Sequence, residues 1–325
     1  MTYRTTIRGS GCYLPERVMT NDDLARMVDT SDEWIFTRTG IRQRRIAAPG
    51  ETTASLAIRA ARAALDSAEM AGAEIDLTIL ATCTPDYGFP AGACLVQDAI
   101  GAHGGAYDLE AACSGFVYGL ASACSLIQAG VARNALVIGS EIYSRVLDWH
   151  DRRTCILFGD GAGAVVVSRA NHPGKLPAFR LGSDGSGAGM LILPGGGLAE
   201  RGEDGNVPRG VRMNGPETFR FGVRVVVEVT EQILADTGLA VPEVDWLILH
   251  QANQRIITAA AKRLHFADSQ VMSNIEHYGN TSAASIPIAL DDWVKRGAVT
   301  PGQRLLMIGF GGGLTWAAGL LTWRD

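Results

Sequence analysis

A cysteine that could serve as a nucleophile stands at position 113, in Ala111-Ala112-Cys113-Ser114-Gly115-Phe116, after the extended run Ala106-Tyr107-Asp108-Leu109 and before a stretch of small residues with helical character. A thiol at a helix N-terminus faces unpaired backbone N–H groups and the positive end of the helix dipole, which favour the thiolate and predict a lowered pKa. A free cysteine is otherwise a small hydrophobe that packs in a core, so the chemistry needs partners. His250 closes the apolar run Asp245-Trp246-Leu247-Ile248-Leu249, the carboxyl end where α/β sheets place ligands, and is followed by Gln251-Ala252-Asn253. Asn280 sits in Tyr278-Gly279-Asn280-Thr281-Ser282-Ala283-Ala284-Ser285, a second junction between an extended run and a small-residue helix. Singly, a strand-end histidine is more often structural and Gly-Asn more often a turn. Together, a thiol, an imidazole and a carboxamide delivered by separate loops match nucleophilic acyl transfer.

An internal echo indicates how these loops are brought together. Ile75-Asp76-Leu77-Thr78-Ile79-Leu80-Ala81-Thr82 resembles Val244-Asp245-Trp246-Leu247-Ile248-Leu249-His250-Gln251, and Ala135-Leu136-Val137-Ile138-Gly139 resembles Leu305-Leu306-Met307-Ile308-Gly309, at offsets of 169 and 170 positions. Ala164 to Ser168 and Ala317 to Thr322 close the two halves. Short apolar runs bounded by turn residues read as buried strands, and a constant offset reads as a duplicated unit. Between them, Thr52 and Thr53 can cap a helix through Leu65, and Asn253 to Leu264 places Ile256, Ile257, Ala260 and Leu264 on one stripe. The run after Cys113 is nearly apolar all round, which predicts a buried helix. The expected fold class is α/β, with two pseudo-equivalent halves, residues 1–172 and 173–325, in a layered α-β-α-β-α arrangement. The duplication maps Cys113 onto the segment holding Asn280, so the two should face each other across a pseudo-twofold axis.

The 325 residues are 47% hydrophobic and 19% charged, the composition of a compact globular protein. A net charge of -5, spread along the chain, argues against non-specific nucleic-acid binding. No apolar run reaches the length of a membrane span, and the N-terminus lacks a cleavable leader, so no membrane and a cytoplasmic location are expected. Six cysteines without a CxxC pair predict reduced thiols and no metal site. The glycine-rich stretches are not followed by Gly-Lys-Ser or Gly-Lys-Thr, which disfavours a nucleotide loop.

Thr30-Ser31-Asp32-Glu33-Trp34-Ile35, Thr37-Arg38-Thr39-Gly40-Ile41, the Cys113 segment, Phe158-Gly159-Asp160-Gly161-Ala162-Gly163-Ala164, His250-Gln251-Ala252-Asn253, Tyr278-Gly279-Asn280-Thr281-Ser282 and Phe310-Gly311-Gly312-Gly313-Leu314-Thr315-Trp316 together make the whole chain resemble β-ketoacyl-acyl-carrier-protein synthase III. The resemblance implies a thiolase-like fold, a homodimer and no cofactor, with acyl-CoA as substrate. It implies transfer of a short acyl group, acetyl first among them, to Cys113, then decarboxylative condensation with malonyl-acyl-carrier protein to initiate fatty acid synthesis. His250 and Asn280 would bind the malonyl thioester carbonyl and stabilise the enolate. In Gly311-Gly312-Gly313 a backbone N–H can approach a ligand without side-chain obstruction, and Gly312 with the N–H of Cys113 could hold an oxyanion.

At the CoA end the same likeness places Trp34 and Arg152 about the adenine, Arg38 on phosphates and Asn253 on the pantetheine arm, although Trp34 also reads as a core aromatic. Arg153 departs from the glycine expected after Arg152, which bears on the shape of the CoA mouth. Arg255, Lys262 and Arg263 form a basic helix side suited to an acidic carrier protein, or simply a solvated face. Phe89, in Tyr87-Gly88-Phe89-Pro90, resembles the residue that closes the acyl pocket of the second subunit, and its bulk suggests a short starter. Thiolases of this fold need a further cysteine on the C-terminal glycine loop, elongating enzymes a second histidine where Asn280 stands, and HMG-CoA synthases a general-base glutamate with no evident counterpart here. A polyketide priming ketosynthase, or a same-fold acyltransferase of secondary metabolism, is the nearest alternative.

Overall fold

The computed structural model describes residues 3–170, 177–194 and 210–324. Its two five-stranded sheets repeat one order. The first runs Thr5–Tyr13, Gly161–Arg169, Asn134–Glu141, Leu77–Ala81, Gly105–Leu109, and the second Ala178–Ser183, Thr315–Thr322, Arg304–Gly311, Trp246–Leu249, Val271–Met272. In each, the last three strands are mutually parallel and the first two antiparallel to their neighbours. The register reproduces the sequence echo: Leu77 pairs with Ala135 in one sheet and Trp246 with Leu305 in the other. These strands read as continuous apolar runs because both of their faces are covered.

Two buried helices, Gly115–Gln128 and Ser285–Lys295, lie between the sheets. Phe116, Val117 and Leu120 of the first and Ile286 and Leu290 of the second share one core with Ile79 and Val137 of one sheet and Ile248 and Met307 of the other. Thr53–Ala68 and Gly92–Ile100 cover the outer face of the first sheet, as Gly215–Thr237 and Gln254–Arg263 cover that of the second. This is the expected five-layer arrangement. The anticipated division between residues 172 and 173 lies outside the described residues, and the shared central core makes the halves one body.

Local signals place the elements. Thr52 accepts from Ser55 N–H and Ser55 Oγ accepts from Thr52 N–H, a reciprocal cap that starts the helix, which runs to Ala68 rather than stopping at Leu65. Asn253 caps Gln254–Arg263, whose stripe of Ile256, Ile257 and Ala260 is buried. No helix among the described residues is long and apolar enough to cross a membrane.

Candidate active site

Each half opens its central helix with the same strained turn. Ala112–Ser114 and Ser282–Ala284 are single 3-10 turns that open the two central helices, and both begin on a non-glycine residue with positive φ, 46° at Ala112 and 49° at Ser282. Such backbone costs on the order of 1–3 kcal/mol and persists only where packing over-determines it. Here the packing comes from the opposite half. Gly309, on the strand Arg304–Gly311, meets the first turn so closely that an added Cβ would lie 2.7 Å from Ser114 Cα, and Gly139 on Asn134–Glu141 meets the second, with Ala284 Cα 2.9 Å from its absent Cβ. Side-chain-free strand positions therefore let the two turns seat against each other's sheet, which brings Cys113 and Asn280 to one place.

Asn280 is fixed on both sides of its backbone, donating to Leu157 O at 2.9 Å and accepting from Gly159 N–H at 3.0 Å. Its Oδ1 accepts from Ser282 N–H at 2.8 Å, so the carboxamide presents its Nδ2 hydrogens to the cavity. His250 is 2% exposed, with its ring edge-on to Phe310 at 5.4 Å. Its Nδ1 lies 2.7 Å from Ser285 Oγ, and that oxygen already accepts from Gln251 N–H at 3.3 Å. Among the described residues the Ser285 hydroxyl hydrogen has no acceptor other than Nδ1, which favours the tautomer with the imidazole hydrogen on Nε2. Burial lowers the His250 pKa to about 3, so the ring is a neutral donor at physiological pH.

Cys113 departs from expectation in its ionisation. Burial raises its thiol to about 12, while the Ser282 hydroxyl and the residue's own backbone N–H pull in the other direction. The helix tip is present, but desolvation outweighs it, and the resting sulfur holds its proton. A second buried group is Glu141, fully enclosed at the end of its strand and raised to about 7 by burial against the pull of its hydrogen-bond donors.

A cavity of about 710 Å³ contains Cys113, His250 and Asn280 together with Trp34, Arg38 and Asn253. A second, about 430 Å³, also reaches Cys113 and is closed by Cys83, Tyr143, Phe158, Leu193 and Gly312. The three predicted residues therefore share the first cavity, and Cys113 stands where it borders the second. Gly312 adjoins the thiol through the pocket wall, and Thr315 Oγ1, with Gly312 O at 2.9 Å and Ala111 O at 3.0 Å both in reach of its one hydrogen, ties the glycine loop to the turn that carries Cys113.

Trp34 projects from the first turn of Asp32–Thr39 with the Arg38 guanidinium 4.4 Å and the Arg152 guanidinium 5.4 Å from its ring centroid. Arg152 also pairs with Asp29 at 3.0 Å in an adjoining groove, outside the lining of the main cavity, which Arg153 reaches instead. Asn253 spends its Oδ1 on Arg255 N–H and its Nδ2 on Arg38 O, so it braces the channel wall as well as lining it. Phe89 is 90% exposed and lines neither of the two cavities that reach Cys113. Arg255 stands at the channel mouth, and Lys262 and Arg263 are exposed farther along the same helix. Sequence reasoning missed Glu141, Ser282 and Ser285; the one available signal was the match between Ser282-Ala283-Ala284 and Ala112-Cys113-Ser114 under the 170-residue offset.

Models of the 3-oxoacyl-[acyl-carrier-protein] synthase III family match residues 107–185 and, for its C-terminal part, 234–323. A β-ketoacyl-[acyl-carrier-protein] synthase III of Desulfitobacterium hafniense is 48% identical over 98% of this chain and 97% of its own. The 3-oxoacyl-[acyl-carrier-protein] synthase III of Aquifex aeolicus superimposes with a TM-score of 0.90 at 48% identity, covering 98% of this chain and all of that one. The priming β-ketosynthase of the R1128 polyketide pathway does so with a TM-score of 0.93 at 38% identity, covering 100% and 97%.

Proposed function

The chain belongs to the β-ketoacyl-acyl-carrier-protein synthase III family of condensing acyltransferases, and on that premise we propose the part each of its residues takes in joining a short acyl-CoA to malonyl-acyl-carrier protein, the first condensation of fatty acid synthesis. The observation that carries the assignment is the meeting of Cys113, His250 and Asn280 on one cavity wall. Cys113 attacks the acyl-CoA thioester, the backbone N–H groups of Cys113 and Gly312 hold the tetrahedral oxyanion, and CoA departs as the acyl group passes to sulfur. Malonyl-carrier protein then enters. Its thioester carbonyl takes hydrogen bonds from His250 Nε2–H and Asn280 Nδ2–H, two neutral donors that gain strength as decarboxylation places negative charge on that oxygen. The enolate carbon attacks the acyl-cysteine, and the 3-ketoacyl product leaves on the carrier protein.

Trp34 and Arg152 are suited to stack on the adenine, Arg38 to neutralise phosphates and Asn253 to meet the pantetheine amides. Phe89 closes the acyl pocket of the other subunit in a homodimer, which favours acetyl as starter. The protein needs no cofactor and works in the cytoplasm. A priming ketosynthase of polyketide synthesis shares this chemistry and differs in starter and product carrier.

Acetyl-CoA, propionyl-CoA and branched acyl-CoA are to be compared with malonyl-carrier protein in one preparation, following carbon dioxide and 3-ketoacyl product. Acetyl-dependent release of both, reduced about 10³-fold or more by Cys113→Ala, is expected. Ester formation without carbon dioxide, or full product formation by the Ala variant, would reject the assignment.

A further inference from the structure

The cavity that brings Cys113, His250 and Asn280 together is one-sided in charge. Arg38, Arg153, Arg220 and Arg255 line it, and among the described residues no aspartate or glutamate does, in a chain whose net charge is -5. The adjoining groove, about 610 Å³, instead sets Asp29, Asp148 and Asp151 beside Arg152. Arg153 stands on the ridge between the two spaces and lines both. An anion approaching this ridge is repelled by the carboxylates on one side and drawn to the arginines on the other.

Arg152 and Arg153 are consecutive and hold opposite stations. Arg152 turns its Nη1 toward Asp29, 2.6 Å from the backbone oxygen and 3.0 Å from Oδ2, on the groove side. Arg153 is held by Asp151, whose carboxylate accepts from its backbone N–H at 3.0 Å, from Nε at 2.8 Å and from Nη2 at 3.1 Å. Asp151 is itself anchored: its side chain is 20% exposed, and its backbone oxygen accepts from the N–H groups of Thr154 and Cys155 at 3.1 and 3.0 Å. A planar guanidinium clasped along Nε and Nη2 keeps its Nη1 hydrogens in one direction, and no hydrogen bond from Nη1 is formed among the described residues. The Arg153 side chain is 78% exposed, so the ion pair adds little to stability. What it does is order a long side chain that would otherwise lose rotamer entropy on meeting a ligand.

We propose that Arg153 is a specificity-determining residue for the acyl donor: its open Nη1 edge, posed by Asp151, binds a phosphoryl group of the CoA nucleotide at the mouth of the Cys113 cavity. This contact depends on the acyl-CoA reading and adds to it at the one position of this stretch where the resemblance calls for glycine. A guanidinium presents its N–H donors to phosphate oxygens in a fixed fork, and such charge-assisted hydrogen bonds are about twice as strong as neutral ones. The 3′-phosphate and the diphosphate of CoA offer the same oxyanion chemistry, and a ligand series separates them. Asp151 acts through Arg153 and is a positioning residue.

Calorimetric titration of the full chain with CoA, dephospho-CoA and pantetheine, directly or by displacement, reads this contact without turnover. Arg153→Ala is expected to weaken CoA binding about 5- to 20-fold, and Arg153→Lys, which keeps the charge without the fork, to retain part of the affinity. Asp151→Asn should weaken CoA about two- to fivefold by loosening Arg153. The loss in Arg153→Ala should shrink to within about twofold on the ligand that lacks the bound group. It disappears on dephospho-CoA if the 3′-phosphate is bound, and persists there but disappears on pantetheine if the diphosphate is. An equal loss on all three ligands, or CoA binding unchanged in Arg153→Ala, overturns the proposal. So does tighter CoA binding in that variant, the result expected if the arginine merely crowds the mouth. Tighter binding in Asp151→Asn would show the carboxylate competing with phosphate and overturn its positioning role. A wild-type chain that binds no CoA would reject the acyl-CoA reading and this contact with it, whereas CoA binding indifferent to Arg153 rejects the contact alone.

Discussion

The two halves share strand order, register and turn geometry, yet they place different side chains at equivalent positions. At the end of Asn134–Glu141 the N-terminal half carries Glu141, which accepts from Ser282 of the C-terminal turn, and at the end of Arg304–Gly311 the C-terminal half carries Gly311, whose missing Cβ would lie 2.8 Å from the Cys113 N of the N-terminal turn. After Leu77–Ala81 the N-terminal half sends out a loop bearing exposed Tyr87 and Phe89, whereas after Trp246–Leu249 the C-terminal half turns inward at His250. Duplication supplied two crossed turns and two strand ends that address them. Chemistry arose where the copies ceased to match: one turn received the thiol, the other the carboxamide and hydroxyl, and one strand end became an acid while the other vanished to a hydrogen.

The sharpest break of this comparison is a methyl group at or near the end of each of these two strands. In Gly311→Ala the new Cβ would stand 2.9 Å from Cys113 Cβ and 3.2 Å from its Sγ, with no flexible side chain to yield. A displacement of about 1 Å at the nucleophile can cost about 10²-fold, so single-turnover acylation should fall by at least that factor. Gly139→Ala presses on Ala284 Cα and the Ala283 carbonyl instead. It should cost about 1–3 kcal/mol through overpacking and impair decarboxylation more than alkylation of Cys113. If both variants damage the same half-reaction equally, the crossed assignment of strand ends to turns is wrong.

The buried titratable groups extend the contrast to pH. Glu141 has a folded pKa of about 7 against an unfolded 4.5, so its contribution to stability is complete below 4.5 and is lost as pH rises through 7. His250 has a folded pKa of about 3 against 6.5, so its contribution is complete above 6.5 and is lost as pH falls toward 3. At about 1.36 kcal/mol for each unit of pKa these amount to roughly 3 kcal/mol for Glu141 and roughly 5 kcal/mol for His250. Thermal midpoints measured across this range should lose their alkaline-side decline in Glu141→Gln and part of their acid-side decline in His250→Gln. Unaltered slopes would mean that neither group titrates as its burial implies.

Legibility in the sequence divided along the same line. Cys113, His250 and Asn280 each stand where an apolar run gives way to small or polar residues, so a local reading finds them, and the offset of the two halves is enough to bring them together. Glu141 closes a strand in the same way as any solvent-facing acid would. Its enclosure depends on Ser282, 141 positions away, and no short-range pattern encodes that contact. The Cys113 pKa failed for the same reason: the helix tip is local and was read, while the burial that overrides it is tertiary. The assignment of Nε2–H on His250 likewise waits on Ser285, which reads as one small residue among several.

The smallest expected effect lies on the outer helices. Gln254–Arg263 carries Arg255, Lys262 and Arg263, and its counterpart Gly92–Ile100 carries no lysine or arginine. Arg255 and Lys262 are seven residues apart, two turns or about 10.5 Å along one side, with Arg255 at the channel mouth. An acidic carrier protein would be steered to this face and not to the other, and the advantage should be screened by salt. Lys262→Glu, away from the channel, is therefore expected to lower kcat/KM for malonyl-carrier protein by about 3- to 10-fold at low ionic strength, with the deficit shrinking as salt is added. Acyl transfer from CoA to Cys113 should be unchanged, and a charge change of the same size and opposite sign on the other helix, Asp98→Lys, should leave carrier-protein use within about twofold. Arg255→Glu should affect both half-reactions because of its place at the mouth. A Lys262→Glu deficit that is indifferent to salt, or one that appears equally in the CoA reaction, would remove the asymmetry between the two helices and return this basic side to an ordinary solvated face.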